Sequence, residues 1–243
     1  MIEKFFVFLI GTLFGSFFSC LFFRFQKKNF VFSRSRCPHC QKKLSFFDLI
    51  PIVSFLILKG SCRYCKKKIS FLYPLFEIAS GFLFLFAFSL SENFLDFLFL
   101  AFVFSFLLLI FFFDLTQFQI PDSLILPLIF ITFLYFLFHL PLKNLFFFHL
   151  LPALFVSFIF FSIFYFSKGR LMGENDSKLA FFISFYWGFP QMIFAFFFGF
   201  SLGFFVSLIL ILTKKKTLKS EVPLAPFLIF GFFFNFALPP FSF

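Results

Sequence analysis

Long apolar runs separated by short polar segments dominate this chain from one end to the other. Runs of roughly 17–22 residues match the length that an α-helix needs to cross the hydrocarbon core of a bilayer. Such runs predict an all-α polytopic membrane protein with about eight transmembrane helices. The predicted spans are 4–22, 72–90, 94–113, 123–140, 146–166, 179–193, 194–212 and 223–240. The sixth span is short and is interrupted near Gly188 and Pro190.

The composition favours a membrane environment over a soluble domain. Of the 243 residues, 62% are hydrophobic and only 13% are charged, whereas a soluble domain has about a quarter charged residues. The 62 phenylalanines are interpreted as bulky apolar filler and not as a cofactor-binding motif. The first apolar run is expected to remain as a membrane helix, because the MIEK segment lacks a net positive charge and no small-x-small cleavage site follows.

Basic residues are concentrated in three of the polar segments. Segment 24–70 holds 12 Lys or Arg, 168–178 holds three and 214–219 holds four, together 19 of the chain's 21 basic residues. If there are eight spans, these segments share one side of the membrane, and the positive-inside rule places them in the cytoplasm and both termini outside. The net charge of +11 is therefore interpreted as a topology signal and an attraction to anionic membrane lipids. Nucleic-acid binding is not expected.

Four cysteines in segment 24–70 have the spacing of a metal site. Cys37 and Cys40 form one C-x2-C pair, and Cys62 and Cys65 form a second pair after a gap of 21 residues. Two such knuckles can complete a tetrahedral thiolate site, which predicts a structural Zn²⁺ in a cytoplasmic zinc-ribbon-like loop. Redox-active dithiols or a loop without metal are the alternatives, whereas the reducing cytoplasm disfavours disulfides. The apolar segment between the knuckles is too short to cross the bilayer and is expected to lie at its surface.

Two aspartates stand where polar loops meet apolar helices. Asp114 ends the third predicted span and Asp176 opens the sixth, so the predicted topology brings both to the cytoplasmic boundary, although 62 residues separate them. A carboxylate there is costly unless it faces water, a partner or a substrate. Two aspartates that share a proton can hydrolyse a peptide bond, since the ionised one activates water and the protonated one donates to the carbonyl oxygen. Two alternatives fit the same spacing. The aspartates could cap helices, as is expected for Asp122, or they could carry ions or protons in a carboxylate-relay membrane transporter.

Several motifs in a fixed order resemble those of the bacterial type IV prepilin peptidases, the leader peptidase/N-methyltransferase family of aspartic peptidases (family A24). The resemblance covers almost the whole chain. Its elements are G-x3-G-S-F at 11–17, RCPHC and GSCRYC around the cysteines, IPIVSFLILKG between them, YPLFE at 73–77, D-x6-P-D at 114–122 and MGENDSKL at 172–179.

The resemblance implies that Asp114 and Asp176 are the catalytic residues of a membrane-embedded peptidase region, 91–243. It implies type IV prepilins or type II secretion pseudopilins as substrates, cleaved after a Gly at the cytoplasmic face of the inner membrane. It further implies that region 1–90, with the cysteine loop, N-methylates the new N-terminal residue using S-adenosylmethionine (SAM). Glu77 is a candidate residue of that second site, with a helix-start carboxylate as the alternative. A peptidase without methylation is the alternative for the whole function.

The chain departs from the family pattern at a few positions. Asn175 replaces the Gly that usually precedes the second aspartate, and because Asn tolerates left-handed backbone, the turn is expected to survive. Ser19 and Cys20 replace a usual Asn-Val pair, which bears on methylation more than on cleavage. Lys178 is expected to offset the charge near Asp176. A catalytically idle assembly scaffold is a further alternative, with Asn175 as its only hint.

Overall fold

The computed structural model describes residues 2–25, 35–37, 39–215, 217, 220 and 222–238. In these residues the regular secondary structure is helical, apart from two isolated β-bridges in the cysteine loop, which confirms the predicted all-α class. A π-helical turn, Leu145–Leu150, joins α6 and α7 into one continuous helix. The helices are α1 (Ile2–Arg24), α2 (Val53–Ile57), α3 (Leu72–Leu90), α4 (Phe94–Gln117), α5 (Asp122–His139), α6 (Leu142–Asn144), α7 (Leu151–Ser167), α8 (Glu174–Trp187), α9 (Gln191–Leu212) and α10 (Ala225–Phe234).

Six helices in the described part of the chain are long and apolar enough to cross a membrane: α1, α3, α4, α5, the continuous helix Leu142–Ser167 and α9. The other two predicted spans, 179–193 and 223–240, are occupied by shorter helices, α8 with 14 residues and α10 with 10. The expected interruption is present, because α8 ends at Gly188, whose φ of +68° favours glycine. Residues 239 and 240 of the last predicted span lie outside the described residues.

Large apolar side chains cover the outside of these helices. Phe138, Phe158 and Phe166 expose 81%, 68% and 83% of their surface. Contiguous apolar surface of this kind is rare on soluble proteins, and helices satisfy their backbone hydrogen bonds internally as a bilayer requires. The chain is therefore a polytopic membrane protein with an outer surface suited to lipid.

The chain forms two compact units, Met1–Leu109 and Ile110–Phe243, with the division inside α4. In the first unit, α1 and α3 pack closely through small residues. A Cβ atom at Gly15 would lie only 2.7 Å from the Cα atom of Glu77 and from the Phe76 carbonyl oxygen. The G-x3-G-S-F motif therefore has a packing role in this structure, since its glycines let two backbones approach.

In the second unit, α8 packs against α7 and α9 packs against α10. Gly231 of α10 lies so close to α9 that a Cβ atom there would overlap the Ala195 carbonyl. The inner face of α8 is buried, with Phe182 and Phe185 almost fully covered. At the C-terminal end of α8, Nδ1 of His149 lies 2.8 Å from the Phe185 carbonyl oxygen. These contacts fix α8, so the position of its N-terminal residues is well defined.

Candidate active site and metal centre

Asp114 lies in the last turn of α4 and is buried, with 6% of its surface exposed. Its Oδ2 atom accepts a hydrogen bond of 2.9 Å from the backbone N–H of Ala225, the first residue of α10. The first N–H groups of a helix have no partner within the helix and carry partial positive charge, which suits a carboxylate. The C-terminal end of α4 is thereby joined to the N-terminal end of α10.

Asp176 lies in the first turn of α8 and is also buried, with 8% exposed. Its Oδ2 atom accepts a hydrogen bond of 2.8 Å from the backbone N–H of Gly173, which immediately precedes the helix. The structure therefore places both predicted aspartates at buried helix ends within the second unit, each against a backbone N–H.

Two further contacts hold the same helix ends together and correct two expectations. Asn175 lies within the right-handed helix α8, not in left-handed backbone, and its Nδ2 donates a 2.6 Å hydrogen bond to the carbonyl of Ile120. The expected left-handed turn was wrong, because the residue is already part of the helix.

Lys178 forms its ion pair with Asp122, at 2.6 Å, and a longer contact of 3.9 Å with Glu174. Its short contact is therefore with the start of α5, and no ion pair with Asp176 is present among the described residues.

The arrangement supports two different roles for the aspartates. Each carboxylate binds a backbone N–H at a helix N-terminus, which is a capping contact, and Asp176 caps its own helix as the sequence allowed. Each of these contacts uses Oδ2, and within the described parts of the chain Oδ1 of neither side chain accepts a hydrogen bond, so Oδ1 can bind water or substrate. Two carboxylates that lie close together in a protein interior can share one proton, and this is the condition for one to act as a base and the other as an acid.

The cysteine loop builds two knuckles with the same backbone geometry. In each knuckle the first cysteine donates its backbone N–H to a lysine carbonyl five residues later, from Cys37 to Lys42 and from Cys62 to Lys67. The residue after the second cysteine adopts a φ of +58° in both, at Gln41 and Lys66. One β-bridge flanks each knuckle. This repeated turn aims both sulfur atoms of each pair to the same side.

The four cysteine sulfurs lie within 4.8 Å of one another, and those of Cys37 and Cys65 are 3.9 Å apart. Zn–S bonds of about 2.3 Å in a tetrahedron place sulfurs roughly 3.8 Å apart, so the cluster fits this ion. Burial opposes ionisation of Cys37, but the backbone N–H groups of Cys40 and His39, together with hydrogen bonds from the Cys62 and Cys40 side chains, lower the pKa of Cys37 to about 7. The four sulfurs could therefore hold a metal ion. His39 is exposed and lies outside this group.

Glu77 is buried in α3 and has a partner in the cysteine loop. Its Oε2 atom accepts a 2.7 Å hydrogen bond from the backbone N–H of Ile52, the residue before α2. Ile52 has a φ of +61°, which is strained for a β-branched residue. Glu77 therefore clamps the start of α2 to the membrane helix α3, a contact that the sequence did not indicate.

Asp48, a carboxylate of the cysteine loop with a buried side chain, was missed from the sequence. It accepts hydrogen bonds from the backbone N–H and hydroxyl of Ser45 and forms a 2.7 Å ion pair with Arg63 inside the second knuckle. Burial alone would raise its pKa, but the Ser45 hydrogen bonds and the Arg63 guanidinium together hold the pKa of Asp48 below its usual range. Asp48 thus joins the segment between the knuckles to the second knuckle.

Comparison with known proteins matches two family models to the chain. A model described as the bacterial peptidase A24 N-terminal domain matches residues 9–90, and the type IV leader peptidase family model matches residues 101–208. No solved structure matches the chain.

Two curated relatives match parts of the chain. The prepilin leader peptidase/N-methyltransferase of Klebsiella pneumoniae is 34% identical over 130 residues, which cover 51% of this chain and 57% of that protein. The protein of the same name from Myxococcus xanthus (strain DK1622) is 34% identical over 80 residues, 32% of this chain and 24% of its own length. The chain thus matches less than two thirds of either relative. Since both family models and both relatives agree, the chain belongs to the type IV prepilin leader peptidase family.

Proposed function

We propose that this protein is a membrane aspartic endopeptidase that removes the leader peptides of type IV prepilins or type II secretion pseudopilins. Cleavage follows a Gly at the cytoplasmic face of the inner membrane. The observation that carries the proposal is the placement of Asp114 and Asp176, two buried carboxylates distant in sequence, in regions that the Asn175–Ile120 hydrogen bond joins. The family membership supplies the substrate class.

The proposed chemistry needs one water molecule and one proton shared by the two aspartates. The ionised carboxylate takes a proton from water while the protonated one donates to the oxygen of the scissile carbonyl. The N–H groups of Ala225 and Gly173 keep each Oδ2 in place, so both Oδ1 atoms can turn to the reacting groups. Holding the carboxylates before substrate arrives reduces the reorganisation needed in the transition state.

The location of the pair suits a substrate that has a basic leader followed by an apolar helix. The ends of α4, α8 and α10 meet where apolar helices give way to the basic segments 168–178 and 214–219. Under the positive-inside rule these segments are cytoplasmic, which places the aspartates at the inner boundary of the bilayer. A prepilin presents its cleavage site at that same depth, because its leader is soluble and its helix is not.

Methylation of the new N-terminus with SAM is the second proposed activity, assigned to region 1–90. It rests on the relatives, which are named prepilin leader peptidase/N-methyltransferase. Glu77 stays a candidate for this site, although its carboxylate accepts a hydrogen bond from the backbone N–H of Ile52. The mass of the processed pilin N-terminus tests this activity, because a methylated product is heavier by one methyl group and an unmethylated product leaves the peptidase alone.

A structural Zn²⁺ bound by Cys37, Cys40, Cys62 and Cys65 is the third element of the proposal. Four thiolates fill the tetrahedral coordination of the ion, so no position remains for water or substrate. The ion would stabilise the loop and would take no part in hydrolysis. The exposed lysines of the knuckles offset the negative charge of four thiolates around one divalent ion.

Co-expression with a prepilin tests the peptidase proposal, because leader removal changes the mobility of the pilin on a gel. Asp114→Asn and Asp176→Asn keep an oxygen that can accept the helix N-terminal hydrogen bond but cannot exchange a proton at neutral pH. Both variants should insert in the membrane and leave the prepilin uncut. Asp96→Asn, in the first turn of α4, is the matched control and should cut normally. Leader removal by either site variant would contradict the pair.

A further inference from the structure

The segment between the two knuckles carries an unusually apolar exposed surface. We define the interknuckle surface as Phe46, Phe47, Val53, Leu56 and Ile57. Phe46 and Ile57 expose 80% and 72% of their surface, and Leu56 exposes 68%. Val53, Leu56 and Ile57 are spaced i, i+3, i+4 in α2, so they share one face of that helix. Water is an unfavourable neighbour for so many large apolar side chains in one short segment.

The residues around this surface are strongly basic. Six exposed lysines flank it, and the single acidic residue of the described loop, Asp48, is buried at 2% side-chain exposure and paired with Arg63. An apolar face beside exposed lysines is complementary to an anionic lipid surface, which offers hydrocarbon below a layer of phosphates. The lysines are Lys42, Lys43, Lys59, Lys66, Lys67 and Lys68.

The clamp at Glu77 determines the distance of this surface from the membrane helices. Glu77 is the sixth residue of α3, about 7.5 Å along the axis from the start of the helix, and it holds Ile52 directly before α2. The Phe55 ring also contacts the Phe71 ring, just before α3, with centroids 6.2 Å apart. The short helix α2 is therefore held beside the first two turns of a helix that is itself long enough to span the bilayer.

We propose that the interknuckle surface lies in the interfacial layer of the bilayer, with its apolar side chains at the acyl boundary and the flanking lysines at anionic lipid phosphates. The cysteine loop then rests on the membrane surface and is not surrounded by water on all sides. This inference is independent of the peptidase proposal, because it rests on exposure, charge and the Glu77 clamp alone.

Depth-dependent fluorescence quenching tests this placement in the full chain reconstituted in anionic lipid nanodiscs. Trp187→Phe removes the natural tryptophan, and Leu56→Trp then provides a probe on the interknuckle surface. Phe82→Trp, exposed at 61% in the middle of α3, is the matched depth control. Both probe positions expose more than half of their surface, so each has room for the larger indole ring. The quenchers are phospholipids brominated near the glycerol end or near the tip of the acyl chain.

The expected result is a larger loss of Leu56→Trp emission with the shallow bromines and a larger loss of Phe82→Trp emission with the deep bromines. Changing Lys66, Lys67 and Lys68 to Gln should weaken the quenching of the first probe without affecting the second. Quenching of Leu56→Trp by iodide in water, with no effect of either brominated lipid, would overturn the proposal in favour of a solvated loop. Protection from both iodide and bromine would overturn it in favour of a protein partner.

Discussion

The close approach of α1 and α3 gives a prediction whose size can be worked from the structure. In Gly15→Ala, the new Cβ atom would meet the Glu77 Cα atom and the Phe76 carbonyl oxygen at 2.7 Å. Carbon atoms in contact lie about 3.5–4.0 Å apart, so the two helices must separate by roughly 1 Å. Both obstacles are backbone atoms that cannot rotate away. Overpacking of this kind costs about 1–3 kcal/mol.

Thermal unfolding of the purified protein in one detergent measures this cost. For a chain of this size, about 1 kcal/mol shifts Tm by roughly 2–4 °C, so Gly15→Ala should lower Tm by roughly 2–12 °C. Gly203→Ala is the matched control, because its Cβ atom would meet only the Phe227 side chain, at 3.3 Å, which can move. A Tm of Gly15→Ala equal to or above that of Gly203→Ala would show that the described α1–α3 packing is wrong.

Two further predictions concern the cysteine loop. Cys62→Ser should reduce bound zinc, measured by atomic emission on the purified protein. Prepilin cleavage should continue, because an ion held by four thiolates has no coordination position for water or substrate. Loss of cleavage in a protein that is still folded would contradict a structural role for the ion. Glu77→Leu leaves the Ile52 N–H without its acceptor, which should lower the stability of the loop by about 1–3 kcal/mol. Trypsin should then cut at Lys59 faster than in Glu92→Gln, the control at an exposed site. Equal cleavage rates in the two variants would contradict the clamp.

The sequence predicted well those features that depend on local spacing. Runs of apolar residues located the long helices to within a few residues, because bilayer thickness sets their length. The two C-x2-C pairs predicted the sulfur cluster, since each knuckle is a short turn with its own backbone hydrogen bonds. The interruption near Gly188 was also visible, because glycine is favoured at its positive φ.

Features that depend on distant contacts were not predictable in this way. Nothing near Asp114 indicates that its hydrogen-bond partner is Ala225, and nothing near Glu77 indicates Ile52. The phenylalanine bias removes a further signal, because the same residue type fills buried and lipid-facing positions, and hydropathy cannot separate them. The short lengths of α8 and α10 were missed for this reason, since their flanking segments are as apolar as the helices themselves.

The kinetics of single and double aspartate variants test the central claim, that Asp114 and Asp176 act as one acid–base pair. If they do, Asp114→Asn and Asp176→Asn should each lower the kcat for prepilin cleavage by at least about 10²–10⁴-fold, the usual contribution of general acid–base catalysis. The double variant should then be no slower than either single variant, because residues that work as a unit are not additive. Losses that multiply in the double variant, or a single variant with near-normal kcat, would contradict a shared catalytic site.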